Sequence, residues 1–450
     1  MTPARSPYRT SRRLFLGSLA AAGAGAALSA RSFARAAGSN ERLRVASIGT
    51  GGKGWSDLTE VAKSPQVEIV ALVNVDDGPK HMGQAAETFP QAKRYTDWRR
   101  LFDEAGTFDA VIVSTPDHMH APITLPALEL RKHVYCQKPL THTVFEARQV
   151  RQAAERAGVV TQMGNQIHSH GFYRTAVKLI KDGAIGKAVE VFSWQSGKMG
   201  WLLESDRPAG ADPIPAGLHW DNWLGVAAER PYKDKIYHPF NWRGWQDYST
   251  GQLGDFGCHI FDPVFTALEL TAPTTVQADA PTLNREVWND RSTVRFDFPA
   301  TKYTAGPITL TWYDGAGAMP PREKLGVSAE FKLPKAGSLV RGEKGSLLIP
   351  HVAAPRLLPT EQFANYEMPK LESLDHYVGW ADACRGEGKT TDHFSYAGPL
   401  TEAVILGAIA VRVPHETLNW DAAALRITNN TTASALLTKE YRKGWEPKWS

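Results

Sequence analysis

The chain is poor in cysteine: Cys136, Cys258 and Cys384 are the only three in 450 residues. A disulfide-stapled secreted scaffold carries more, in even number, so these read as small buried apolar residues. No repeat recurs at a fixed period, which excludes a repeat architecture. Positive charge is scarcer than the formal net of +4 suggests. Arg5, Arg9, Arg12, Arg13, Arg31 and Arg35 all fall within residues 1–36, which contain no acid, and the remainder holds 45 basic against 47 acidic residues. Nucleic-acid affinity rests on concentrated positive charge, so no nucleic-acid partner is expected. The composition, 42% hydrophobic and 22% charged, is that of a soluble globular protein long enough for two domains.

The first 36 residues stand apart. "SRRLFLGSLAAAGAGAALSARSFARA" pairs Arg12 and Arg13 with Phe15 and Leu16, runs through a weakly apolar Ala/Gly stretch and offers Ala34 and Ala36 as a cleavage site. This reads as a twin-arginine export signal, with the export machinery as a partner and a periplasmic destination. Gly17, Gly23, Gly25 and Ser29 dilute the stretch, and Arg31 and Arg35 close it early, so no membrane anchor is expected after cleavage.

Residues 43–163 alternate short β-branched runs ("LRVASIG", "VEIVALVNV", "FDAVIVSTP", "KHVYC", "VVTQMG") with helical stretches. Strands apolar on both faces and separated by helices predict a parallel sheet covered on both sides. "GTGGKG" follows the first strand and opens a helix, with Gly49, Gly51 and Gly54 in G-x-G-x-x-G and Gly52 between them. In that context the glycines allow a tight turn and let backbone N–H groups reach a pyrophosphate at a helix N-terminus. After the second strand "LVNVDD" places Asn74 where an acid normally holds the adenosine ribose, with Asp76, Asp77 and Lys80 close by, so NAD and NADP both stay open.

The strand and glycine loop, "STPDHMH", "CQKPLT" and "GDFGCHIFD", in that order, resemble the Gfo/Idh/MocA oxidoreductases from about residue 43 to the C-terminus. The tryptophan-rich insert and the ending "EYRKGWEPKW" resemble an exported bacterial branch of that family. The resemblance implies an α/β protein: an N-terminal Rossmann dinucleotide-binding domain (43–163), then an α/β domain with a large, mostly antiparallel open sheet (164–450). It implies sugars or cyclitols as substrates, NAD or NADP as cofactor, and a Glu-Lys-Pro lysine that contacts nicotinamide and the reacting hydroxyl. Lys138 matches that lysine, while Gln137 replaces the glutamate and removes a charge. Thr115, Pro116, His120 and Gln137 join the glycine loop, Asn74, Asp76 and Lys138 as expected cofactor contacts.

Hydride transfer from a carbinol needs a proton acceptor and fixed geometry. Asp255, His259 and Asp262 lie at i, i+4 and i+7 and share one helical face. Lys138, His259 and Asp255 are the expected catalytic set, with His259 as the preferred proton acceptor. The same spacing suits metal ligands, but the catalytic reading is preferred and no metal is expected. His118, His120, His168 and His170 are further candidates around this site. Asn165, Gln166 and His168 are expected to meet substrate hydroxyls. Six tryptophans crowd residues 194–245, namely Trp194, Trp201, Trp220, Trp223, Trp242 and Trp245. Most should form the segment's own small core, while Trp242 and Arg243 are expected at the substrate.

Nicotinamide chemistry outside the cytoplasm implies a cofactor loaded before export and held tightly. It must then be restored in place, either by a second carbonyl substrate or by re-reduction of the same sugar after elimination and hydration, as in a redox-neutral glycosidase. A non-catalytic sugar- or cofactor-binding protein on the same fold is the competing class. The open sheet makes a homo-oligomer the expected assembly.

Overall fold

The computed structural model describes residues 42–197, 206–282 and 286–449. The export-signal segment and Trp201 lie outside the described residues. Six strands, β1 (Leu43–Ile48), β2 (Val67–Val73), β3 (Lys93–Tyr95), β4 (Ala110–Val113), β5 (His133–Cys136) and β6 (Thr161–Met163), form a sheet in the order β3-β2-β1-β4-β5-β6. Every pairing in it is parallel. All four residues of β4 are buried, as a strand covered on both faces requires. The order reverses between β1 and β4, the switch point where dinucleotides bind in such sheets. β3 has no counterpart among the apolar runs of the sequence, because "KRY" is a short, charged edge strand.

The intervening helices follow local rules. Thr143 and Glu146 make a reciprocal capping box at the start of helix Val144–Ala157, and Gly158, at φ 64°, ends it in the left-handed region.

The second sheet has nine strands. They are β7 (Ala188–Gln195), β8 (Thr275–Asp279), β9 (Arg291–Phe298), β10 (Thr304–Gly315), β11 (Ala336–Gly342), β12 (Gly345–Pro350), β13 (Arg356–Leu358), β14 (Thr417–Asp421) and β15 (Arg426–Ile427). Their order is β13-β12-β11-β7-β10-β9-β8-β14-β15, and β7 with β10 is the single parallel pair among otherwise antiparallel ones. Helices Gly171–Lys181 and Gly251–Leu268 cover one face, and a single buried cluster runs from them into the first domain. The opposite face is partly covered by the chain's own Leu325, Phe331 and Leu333, packed on Phe192, Trp194 and Leu339.

Helix Phe394–Arg412 is apolar and long enough to cross a membrane, yet 83% of its most apolar window is buried inside the protein. It carries Pro399 in its second turn. The proline removes the bond to the Ser395 carbonyl, which sits on an exposed residue where water can replace it. The helix returns to the first domain through Glu402, which accepts from Arg148 at 2.8 Å in a partly buried pair.

Residues 206–250 form an insert with its own core, in which Trp220, Trp223, Trp242, Trp245, Tyr237 and Tyr248 are all buried. It crosses the exit of β2: the Asp77 N–H donates to the Gly217 carbonyl at 3.0 Å and the His219 N–H to that of Val75 at 2.8 Å.

Candidate active site

The C-terminal ends of β1, β4 and β5 open toward helix Gly251–Leu268, and the candidate residues meet in that cleft. Gly49, at φ 85°, turns the chain so tightly that a Cβ would strike the Ser114 carbonyl. Helix Lys53–Val61 follows with Gly52 at its N-cap and no side chain capping it, so its first-turn N–H groups face the groove. The Thr115 hydroxyl is buried without a partner at the end of β4. This turn, the uncapped helix start and the orphaned hydroxyl fit a dinucleotide.

At the mouth of β5, Lys138 Nζ donates to the Asp255 carboxylate at 2.7 Å and to its backbone carbonyl at 2.8 Å. Both side chains keep partial exposure, 15% and 20%, so the ion pair borders the cleft rather than the core. Arg243 of the insert places its Nε 4.0 Å from the same carboxylate.

One turn along the helix, His259 Nδ1 lies 2.5 Å from Asn165 Oδ1, while Asn165 Nδ2 donates to the Cys258 carbonyl at 3.2 Å. That second bond fixes the amide so that its oxygen faces the ring, and the ring must donate from Nδ1. Nε2 is left as the lone-pair nitrogen. Burial, reinforced by the Lys138 charge, pushes the imidazole well below its usual range, so the ring stays neutral.

A further turn along, Asp262 accepts from His168 Nδ1 at 2.8 Å and from the Tyr396 hydroxyl at 2.7 Å. The three residues of the expected face therefore each meet a partner: Lys138, Asn165 and His168.

Several expected contacts are turned elsewhere. Gln137 points inward, its amide donating to buried Asp57 at 2.7 Å. Asn74 is engaged at both ends, donating to Thr50 Oγ1 at 2.9 Å and accepting from the Asp76 N–H at 3.1 Å, so it braces the glycine loop. His120 is buried with its ring nitrogens 2.7 and 2.8 Å from the carbonyls of Pro139 and Thr115, and it ties the two strand-end loops together. His168 has its second nitrogen 3.0 Å from Thr391 Oγ1, and Asp262 outweighs burial to raise it to about 9. It is part of a buried ionic network. Trp242 is buried in the insert core with the Arg243 guanidinium 4.3 Å from its ring, which covers the face expected to meet a sugar. Gln166 is exposed at the edge of the loop. His118 lies inside the insert contact, 3.3 Å from the Trp223 carbonyl, and His170 caps helix Gly171–Lys181 by accepting from the Phe172 N–H at 3.2 Å.

Two further groups join the site beyond those expected from the sequence. Asp117, inside the quoted "STPDHMH", accepts from the Thr250 N–H and hydroxyl at 3.2 and 3.1 Å, and burial with the nearby Asp255 charge raises it to about 7. His351 follows β12, with its ring centroid 5.8 Å from that of His259 and Tyr173 Oη 3.0 Å from its Nδ1. Burial and Lys138 lower it to about 4. Asp117 has a local signal, since it sits beside two histidines at a strand end, whereas His351 has none.

Comparison with known proteins agrees with this architecture. Residues 43–165 match "Oxidoreductase family, NAD-binding Rossmann fold" and residues 173–300 match "Oxidoreductase family, C-terminal alpha/beta domain", together more than half of the chain. A levoglucosan dehydrogenase of Pseudarthrobacter phenanthrenivorans is 29% identical over 229 residues, 49% of this chain and 50% of that protein. A glycosyl hydrolase family 109 protein of Stenotrophomonas maltophilia is 26% identical over 161 residues, 33% of this chain and 35% of that one. The matched segments thus span half or less of these relatives. The crystal structure of aldose-aldose oxidoreductase from Caulobacter crescentus shares the fold at TM-score 0.56 and 18% identity, covering 84% of this chain and 100% of that one. The chain belongs to the Gfo/Idh/MocA family of oxidoreductases, with its NAD-binding Rossmann fold and C-terminal alpha/beta domain.

Proposed function

We propose that the protein is an exported, periplasmic oxidoreductase that oxidises a hydroxyl of a sugar or glycoside with a permanently held NAD(P). The observation that carries this reading is the pairing of Lys138, held by Asp255, with neutral His259, held by Asn165, at one cleft beside the glycine loop. Two of the three ammonium N–H groups of Lys138 go to Asp255, and a third direction remains for a substrate oxygen. His259 Nε2 then takes the hydroxyl proton. Bound nicotinamide would supply the hydride acceptor. Asp255 positions the lysine, and Arg243 brings a second cation to the same edge for a hydroxyl or carboxylate.

Retention of the cofactor is supported by the insert, which lies across the exit of β2 where the adenosine end belongs. The arginine pair at the N-terminus supports export. A homo-oligomer formed on the uncovered part of the nine-stranded sheet belongs to the same reading.

A redox-neutral glycosidase is the second reading, favoured by the extra proton-transfer groups Asp117 and His351 around Lys138. Elimination after oxidation needs a base for the hydrogen beside the new carbonyl, and an acid that titrates at about 7 suits that task.

The test starts with mature protein recovered from the periplasmic fraction. Mass spectrometry of small molecules released on denaturation should show about one dinucleotide per chain, and a pyranoside should raise absorbance at 340 nm. Lys138→Ala should keep the dinucleotide and lose at least about 100-fold in turnover. Correctly folded protein that holds no dinucleotide and ignores added NAD and NADP overturns the proposal.

A further inference from the structure

Away from the catalytic cleft, three side chains that no role above uses together converge on one point. Asp76 follows β2, His81 lies in the turn Pro79–Gly83 just beyond it, and His238 comes from the insert. Asp76 Oδ2 lies 2.6 Å from His238 Nε2 and 3.4 Å from His81 Nε2. The three ligand atoms all fall within 4.8 Å of one another. Ligands at about 2.0–2.1 Å around a tetrahedral zinc are separated by roughly 3.3 Å, so small rotamer shifts would place an ion among them.

The surroundings hold these side chains as an ion site requires. The other oxygen of Asp76 accepts the Gly78 N–H at 2.7 Å, which fixes the carboxylate. The His81 ring packs on Gly51, where any Cβ would collide with its Nδ1, and the His238 ring meets Trp223 edge-on at 6.1 Å. Both imidazoles therefore turn Nε2 inward. Asp76 faces His81 from the β2 exit at 3.4 Å, and the His238 ring faces it from the insert at 5.3 Å between ring centroids. Asp77 and His219 stand 3.5 Å apart as a separate, more exposed pair and are not part of the triad.

We propose that Asp76, His81 and His238 bind one divalent transition-metal ion of the zinc class, stapling the insert to the Rossmann domain beside the glycine loop. Two imidazoles and a carboxylate suit such an ion and leave at least one coordination position open. His238 lies 162 residues from Asp76, so the ion adds a cross-link over a long span to the backbone contacts at the β2 exit. The proposal rests on these three residues and not on hydride transfer.

The experiment uses the mature protein without a polyhistidine tag, with zinc content measured as isolated and cobalt(II) titrated into the metal-free protein as a spectroscopic probe. One ion per chain, with a visible d–d band and a raised thermal midpoint, is expected. His238→Ala and His81→Ala should each weaken cobalt binding by at least about 100-fold, while His219→Ala leaves it unchanged. Absence of stoichiometric binding by the wild-type protein overturns the proposal, as does undiminished binding in either variant. Two variants on different elements guard against a folding defect in one. The dinucleotide released from the same samples is counted separately, so an empty metal site and an empty cofactor site are told apart.

Discussion

Gln137→Glu would restore the acid that the family's Glu-Lys-Pro signature carries, and the structure says it should harm this protein in a pH-dependent way. The Gln137 amide donates to Asp57 Oδ2 at 2.7 Å, and Asp57 is completely buried. The same oxygen takes the Ser114 hydroxyl at 2.8 Å, and Lys53 holds the other. A glutamate would turn the donor into a second acceptor at that distance, so one of the two carboxyls has to keep a proton. A rise of about two units in the new carboxyl, at about 1.36 kcal/mol each, costs the folded state roughly 2–3 kcal/mol once solvent would ionise it. The folded value then lies above the unfolded value of about 4.3. The variant's stability is therefore intact below that pH, where the introduced carboxyl is protonated and replaces the amide as donor, and falls as pH rises through the folded value. Thermal midpoints of wild type and variant, measured from pH 4.5 to 8.5, should coincide at the acid end and separate by a few degrees at the alkaline end. A deficit equal at both ends, or none at pH 8.5, refutes the inward orientation of Gln137.

Asp117→Asn tests a second buried acid. Its folded value of about 7 lies above the ordinary value of 3.8, so the wild type loses this contribution as pH rises through 7. The variant should gain on wild type by a few kcal/mol between pH 5 and 8.5 in denaturant titrations, and parallel curves would contradict the burial assigned to Asp117. His168→Gln has its own signature. The imidazolium, raised to about 9 by Asp262 despite burial, contributes stability that is complete below about 6.5 and lost as pH passes 9. The variant should be about 3 kcal/mol less stable at pH 6 and close to wild type at pH 10, judged by the same titrations.

The parts legible in the sequence are those set by local period. Alternating apolar strands and helices show the parallel sheet, and the spacing 255, 259, 262 shows a shared helical face, now seen with a partner at each position. The glycine loop shows its turn, since Gly49 needs both a positive φ and close approach to Ser114. What stayed hidden depends on contacts distant in sequence. His259 faces Asn165 across 94 residues, and His238 reaches Asp76 across 162. Nothing in "QKP" says that Gln137 turns toward Asp57, 80 residues earlier, instead of toward the groove. His351 carries no signal because a lone histidine after a strand looks like any loop residue.

The contacts that would perform the chemistry are also those that join the two domains. Lys138 with Asp255, Asn165 with His259 and His168 with Asp262 all link the β5 and β6 strand ends, or the loop just after β6, to one helix under the nine-stranded sheet. The insert adds a tie at each end of the same groove, with His238 at Asp76 and, five residues on, Arg243 beside Asp255. For the proposed exported protein that keeps its cofactor, these ties would give both a groove covered along its length and a reacting edge set by that cover. In this chain one segment, 206–250, reaches both ends.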